Sequence, residues 1–168
     1  LPGPENSLRA EHPTTYVPIK IWRDSKNDVV RIVIQDHEFV LNKGDWTGWL
    51  QLSFTMLKYI SDVKGICKIY IKNVHPEFSM YISPINIDPS DPVLPIVSSD
   101  DYGKELASNL GAFYTQGMPE DTKALSYGIL DNAEYLELAS QIIDERKSAM
   151  NYCLDIFNRQ DEGLLFFY

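Results

Sequence analysis

The chain has 168 residues, of which 44% are hydrophobic and 12% aromatic, and its 15 basic and 24 acidic side chains give a formal charge of -9. This is the composition of a globular domain, and a chain of this length buries roughly two thirds of its unfolded surface. The negative charge repels phosphate backbones, so a nucleic-acid polymer is not an expected partner. No apolar run is long enough to predict a membrane segment.

Composition divides the chain into four segments, which together predict an α+β protein with a β-rich first half. Residues 1–14 hold three prolines among polar residues and predict a linker. Residues 15–87 alternate apolar and polar side chains in short runs, which predicts an antiparallel, sandwich-like module. Residues 88–99 are rich in Pro and Asp and predict a connector. Residues 100–168 have helical periodicity and predict helices that return to a strand of an α/β core sheet.

The β module is predicted from runs in which every second residue is apolar. Two runs show this most clearly, with the following residues on one face of a strand: Val30, Ile32, Ile34, Leu50, Leu52 and Phe54. Other strands are predicted at residues 16–21, 39–41, 66–74 and 78–85. Turn residues separate the runs at residues 24–28, 42–45 and 61–65. In the run 66–74, Lys68 and Lys72 are expected to face away from the core.

Three helices are predicted in the second half. The first spans residues 100–110, with Asp100 or Asp101 as its cap and Gly111 at its end. A second opens at residues 119–121 and continues to Tyr127. The third runs from residue 131 or 132 to about residue 159, and Arg146 interrupts its apolar stripe. The final run, residues 164–168, is continuously apolar and predicts a strand buried on both faces, in a sheet that lies mostly elsewhere.

The sequence offers few candidates for catalysis. His12, His37 and His75 are far apart, and none has metal-ligand spacing to another His or Cys. There is no G-x-S-x-G elbow. Cys67 and Cys153 lie in apolar runs, so both are expected to be buried thiols rather than a disulfide, and two cysteines indicate no compartment. We therefore predict no catalytic residue and no metal ligand within this chain.

Two weaker patterns have an ordinary structural explanation beside a functional one. Acidic turns could bind calcium, although the same residues are common in turns and neither stretch matches an EF-hand loop: Asp24, Asn27, Asp28, Asp88, Ser90 and Asp91. Trp22, Trp46 and Trp49 could stack on sugar rings if they are exposed, but aromatic residues in strands more often pack in a core or an interface.

The least generic stretch is GAFYTQGMPEDTKAL, residues 111–125. It predicts a helix end, a polar loop and a new helix start whose free N–H groups favour an anion. Tyr114, Thr115, Gln116 and Lys123 are the candidate residues near a substrate. The alternative is a plain connector between helices.

Several segments resemble a known family. They are TYVPIKIWRD at residues 15–24, YISPINIDP at 81–89, FYTQGMPEDTKAL at 113–125, and an acidic helix leading into GLLFFY at 163–168. Together they resemble phosphohydrolases and phosphodiesterases related to type I phosphodiesterase/nucleotide pyrophosphatase, in the alkaline phosphatase superfamily.

The resemblance implies a parent enzyme with an α/β core, two divalent metal ions, usually zinc, and a Thr or Ser nucleophile. It places the Asp and His metal ligands before and after a segment like this one. The chain is therefore expected to be an insertion or cap region that is not catalytic alone, with the rest of the parent core as its partner and a phosphoester as the parent's substrate. Thr115, Gln116 and Lys123 would then orient the leaving group. The alternative is a free-standing β-sandwich module that binds carbohydrate or protein.

Overall fold

The computed structural model describes residues 1–6, 14–57 and 61–167, and this part of the chain is an α+β protein. Its strands precede its helices in the sequence. The strands are β1 (Pro2–Glu5), β2 (Thr14–Tyr16), β3 (Ile19–Arg23), β4 (Val29–Ile34), β5 (His37–Asn42), β6 (Leu50–Leu57), β7 (Ser61–Cys67), β8 (Ile69–Asn73), β9 (Ser79–Ile82) and β10 (Asn86–Ile87). The helices are α1 (Asp100–Leu110), α2 (Thr122–Ser126) and α3 (Asn132–Phe157).

Four small antiparallel sheets enclose one aliphatic core. Their strand orders are β1-β2, β3-β4-β5, β10-β7-β6 and β8-β9. The alternating residues predicted on one face of β4 and β6 are buried in this core, which confirms the assignment of those strands: Val30, Ile32, Ile34, Leu50, Leu52 and Phe54. Burying each such side chain stabilises the fold by about 1.5–3 kcal/mol.

The ribbon formed by β8 and β9 separates this core from a second one. Ile69 and Ile71 point into the aliphatic core. Tyr70 and its cross-strand partner Tyr81 face the other way, onto α2 and α3. Because side chains alternate along a strand, one ribbon supplies both cores. The β-rich half and the helices therefore pack on each other.

The predicted helices are confirmed, with small changes at their ends. Ser99, rather than an Asp, occupies the N-cap position of α1, and Gly111 ends that helix with φ of 79°. A positive φ suits Gly because it has no Cβ. In α3 the Asp131 side chain accepts from the backbone of Glu134, whose side chain accepts from the backbone of Asp131, which is a capping box.

Three expectations about the ends of elements were wrong. The predicted linker contains β1, which pairs with β2. The run 66–74 is two strands with different partners, and they divide at Lys68, whose N–H donates to the Ser83 hydroxyl. Residues 61–65 begin β7 instead of forming a turn. Gly65 marks a close approach, since a Cβ there would meet the Ile85 side chain and the Asn86 carbonyl.

The final apolar run differs from its prediction as well. Residues 163–167 have no regular secondary structure and pair with no strand among the described residues. Leu164 and Phe166 are largely exposed, whereas Phe167 is 43% exposed and lines a cleft beside the helices. A strand in this segment stays a prediction that depends on a sheet outside this chain.

Candidate binding cleft beside loop 111–121

The loop between α1 and α2, residues 111–121, is fixed to the β half by β10. The Asn86 side-chain carbonyl accepts the backbone N–H groups of Thr115 at 3.1 Å and Gln116 at 3.0 Å. The Thr115 hydroxyl donates to the Ile87 carbonyl at 2.7 Å. Three hydrogen bonds to one short strand hold the middle of this loop in one position.

The C-terminal end of the loop is anchored separately. The Asp121 carboxylate caps α2 by accepting from Ala124 N–H at 3.0 Å and also accepts from the Tyr81 hydroxyl at 2.9 Å. Burial, and then this hydrogen bond, raises the pKa of Tyr81. Asp121 occupies the start of α2, so its carboxylate already bonds the Ala124 N–H, and its negative charge would repel a second anion there. This arrangement opposes the anion site that the sequence suggested.

A cleft of about 500 Å³ lies between α1, α3 and this loop. Its size is within the usual range for small-molecule sites. Its walls are mostly apolar and aromatic, and they include Tyr102, Leu106, Phe113, Ile142, Ala149 and Phe167. Gln116, Glu145 and Arg146 are polar residues that also line the cleft. Arg146, which interrupts the stripe of α3, pairs with Glu120 at 2.7 Å.

A buried polar cluster lies next to the cleft and joins β8 to α3. Lys68 Nζ donates to Glu145 Oε1 at 2.7 Å and to Gln141 Oε1 at 3.2 Å. Trp49 Nε1 donates to the same Glu145 oxygen at 3.0 Å. Lys68 Nζ also lies 4.7 Å from the centre of the Trp49 ring, and Tyr114 meets that ring edge-on at 4.6 Å.

Two polar atoms beside this cluster are buried without a hydrogen-bond partner among the described residues. They are the Tyr114 hydroxyl and the second carboxylate oxygen of Glu145. Burial, and then the negative charge of Glu145, raises the pKa of Tyr114. The phenol therefore stays neutral at physiological pH.

The structure brings together three of the four candidate residues from the sequence. Tyr114, Thr115 and Gln116 line the cleft. Gln116 also borders a second cleft, of about 550 Å³, formed with the first strand and β7. Lys123 is exposed on α2 and lines neither cleft.

Sequence reasoning missed the two central charges of the buried cluster. Lys68 was expected to face away from the aliphatic core, but no pattern indicated that α3 covers that side, where the Lys68 side chain is only 6% exposed. A signal was present in α3, where Glu134, Gln141 and Glu145 are spaced by seven and four residues and so share one face. The first of these pairs with Lys72 and the other two contact Lys68.

The described part of the chain contains no group of three or more His, Cys, Asp or Glu side chains placed to share a metal ion. His37 and His75 each bond a backbone carbonyl through Nε2, at 2.8 Å, and His12 lies outside the described residues. The acidic turns act as turns: backbone N–H groups bond Asp24, which lowers its pKa, and Asp88 accepts from Ser90 N–H at 2.9 Å.

The three tryptophans do not form a shared exposed platform. Trp46 packs on Tyr70 at 4.7 Å between ring centres, and Trp49 belongs to the buried cluster. Trp22 is 47% exposed and carries Arg31 over its ring at 4.9 Å. This arrangement gives a sugar-stacking role no support from geometry.

Both cysteines are free thiols. Cys67 is buried in the aliphatic core, and burial raises its pKa to about 11. Cys153 is partly exposed and lines the cleft.

In comparisons with known proteins, no family model, curated protein or solved structure matches the chain. None of the helices in the described ranges has the length and apolar character needed to cross a bilayer.

Proposed function

We propose that this chain is a non-catalytic cap region of a larger metal-dependent phosphoester hydrolase of the phosphodiesterase/nucleotide pyrophosphatase type. In this proposal, the loop at residues 111–121 and the cleft beside it control which substrates reach the parent's active site. Loops fixed to a rigid scaffold commonly serve this purpose.

One observation carries the proposal. The two segments that best carry the family resemblance, 81–89 and 113–125, are far apart in sequence but bonded to each other. Asn86 and Ile87 bond the backbone and hydroxyl of the second segment, and Tyr81 bonds Asp121. Residues that form one rigid unit at the mouth of a cleft are suited to positioning a ligand.

In this proposal, the chain supplies no ligand to the two divalent metal ions implied for the parent enzyme. The described residues offer no donor set for them, so the ligands would come from the parent core. The part of this chain is to shape the space around the reacting group.

Kinetics of the parent enzyme test the proposal. The Gln116 carboxamide is exposed and has no hydrogen-bond partner among the described residues, so it is free to bind a ligand. Gln116→Ala should lower kcat/KM for the natural substrate about 3- to 10-fold, the value of one hydrogen bond. Lys123→Ala is the matched control, because this side chain is exposed outside the clefts, and it should leave the kinetics unchanged. Wild-type kinetics of Gln116→Ala on several phosphoesters would contradict the proposal.

The isolated chain supplies a second test. We expect it to bind no zinc tightly after dialysis and to hydrolyse neither phosphate monoesters nor diesters, because ligand and nucleophile are assigned to the rest of the parent. Metal analysis and an aryl phosphodiester assay measure this. Stoichiometric zinc together with turnover would refute the cap role.

A further inference from the structure

We infer that the cleft between α1, α3 and residues 111–121 binds an uncharged aromatic group that carries a hydroxyl. The biological role of this group rests on the proposed function: in the parent enzyme, the group is the alcohol portion of the phosphoester substrate. The binding itself follows from the chemistry of the walls.

The walls favour an aromatic ring. Tyr102 from α1, Phe113 from the loop and Phe167 from the end of the described chain all line the cleft, with Ile142 and Ala149 on α3. Aromatic pairs in edge-to-face or offset arrangements gain stability beyond the apolar area that they bury. A flexible alkyl chain lacks this gain and loses more conformational freedom when it is bound.

The two charged side chains that line the cleft favour a neutral ligand because each belongs to an ion pair, although the second carboxylate oxygen of Glu145 has no hydrogen-bond partner among the described residues. Arg146 pairs with Glu120 at 2.7 Å, and Glu145 pairs with Lys68 at 2.7 Å. An ionic ligand would have to lose its hydration in an apolar cleft without gaining a free counter-charge, which is unfavourable.

The Gln116 side chain gives the ligand its orientation. The Gln116 carboxamide lines the cleft, is exposed, and makes no side-chain hydrogen bond with the described residues. It offers one acceptor and two donors, so it can bond a hydroxyl in either direction. The backbone N–H of the same residue donates to Asn86 at 3.0 Å, which fixes the backbone from which this side chain reaches the ligand.

The experiment titrates the full chain with 2-naphthalenemethanol and follows backbone amide shifts by NMR. We expect the shifts to concentrate at residues that line the cleft, including Gly117 and Ala149. The anion 2-naphthoate should bind at least about tenfold more weakly, because its carboxylate must be desolvated. Octanol and glucose serve as alkyl and polar probes and should also bind more weakly.

Two variants locate the site. Ala149→Trp should fill the cleft and weaken binding of 2-naphthalenemethanol by about tenfold or more. Asn151→Trp, on an exposed position of the same helix, is the matched control and should bind like the wild type. Cys153→Phe fills the cleft from the next turn of the helix. If Ala149→Trp does not fold, Cys153→Phe serves as the test and should weaken binding in the same way.

The inference is overturned if 2-naphthalenemethanol causes no shifts in the cleft, if the cleft-filling variants bind it unchanged, or if 2-naphthoate binds equally well. Preference for octanol would replace the aromatic group by an alkyl chain and so overturn the ligand class. If the cleft binds no 2-naphthalenemethanol but Gln116→Ala changes the kinetics of the parent enzyme, this inference is wrong and the proposed function stands. If the cleft binds 2-naphthalenemethanol but Gln116→Ala leaves the kinetics of the parent enzyme unchanged, the proposed function is wrong and this inference stands.

Discussion

Replacing Lys68 by Met tests whether the buried cluster beside the cleft holds α3 on the β half. Met keeps most of the aliphatic stem but removes the ammonium group. The change leaves Glu145 without its ion-pair partner, although Trp49 Nε1 still donates to it. We expect the free energy of unfolding to fall by about 2–3 kcal/mol.

The magnitude follows from the contacts of Lys68. Its hydrogen bond to Glu145, at 2.7 Å, is charge-assisted and contributes about 1.5–3 kcal/mol. Its position 4.7 Å from the centre of the Trp49 ring adds about 0.5–2 kcal/mol. Replacing Lys68 by Met also removes the cost of burying an ammonium group, and this gain offsets part of the lost free energy. Because the Glu145 side chain is 27% exposed, the loss stays below the roughly 3–5 kcal/mol for a fully buried pair.

Urea unfolding followed by tryptophan fluorescence measures the change. Lys147→Met is the matched control, since its pair with Asp144 is 3.5 Å long and both side chains are mostly exposed. The control should stay within about 0.5 kcal/mol of the wild type. A double-mutant cycle with Glu145→Gln should show a coupling of about 1 kcal/mol or more.

The reasoning is refuted if Lys68→Met costs no more than Lys147→Met. In that case the ion pair between Lys68 and Glu145 would contribute nothing measurable to holding α3 on the β half.

Other substitutions test the packing of single groups. Tyr114→Phe should be neutral or stabilising by up to about 1 kcal/mol because the lost hydroxyl is buried without a partner, whereas Tyr81→Phe should cost about 1–2 kcal/mol. Gly65→Ala should cost about 1–3 kcal/mol in urea unfolding, since the new methyl meets neighbouring atoms, while Gly48→Ala has open space and should cost less than about 1 kcal/mol. Iodoacetamide at pH 8 should modify Cys67 far more slowly than the second cysteine, because burial raises its pKa to about 11.

Each of these has a contrary result. Equal costs for the two tyrosine changes would show that the Tyr114 hydroxyl has a partner. Equal costs for the two glycine changes would show that β10 does not approach Gly65 closely. Equal alkylation rates of the two thiols would place Cys67 outside the core.

The sequence predicted the elements better than their contacts. Alternation in β4 and β6 and the start of α3 depend on neighbours close along the chain, and both predictions were confirmed. The division of the run 66–74 depends on the hydroxyl of Ser83, which is distant in sequence. No local pattern could indicate that contact.

The candidate site also combines local features that the sequence predicted with long-range contacts that it did not. Residues 114–116 were selected from a polar loop, and they do lie together at a cleft. Lys123 was selected as a cation near a helix start in an acidic chain, but it is exposed on α2 and lines neither cleft. Glu145 was missed because a single acidic residue on a long helix is normally solvated, and only packing against β8 reveals its partner.

The ribbon of β8 and β9 also limits how this protein can be re-engineered. Its two faces serve different cores, so a slip of one residue would carry Tyr70 and Tyr81 into the aliphatic core and expose isoleucines to the helices. The helical layer therefore cannot be grafted onto a foreign sandwich by itself. A chimera must transfer the ribbon with α2 and α3 as one cassette, and its splice points belong before β8 and after α3.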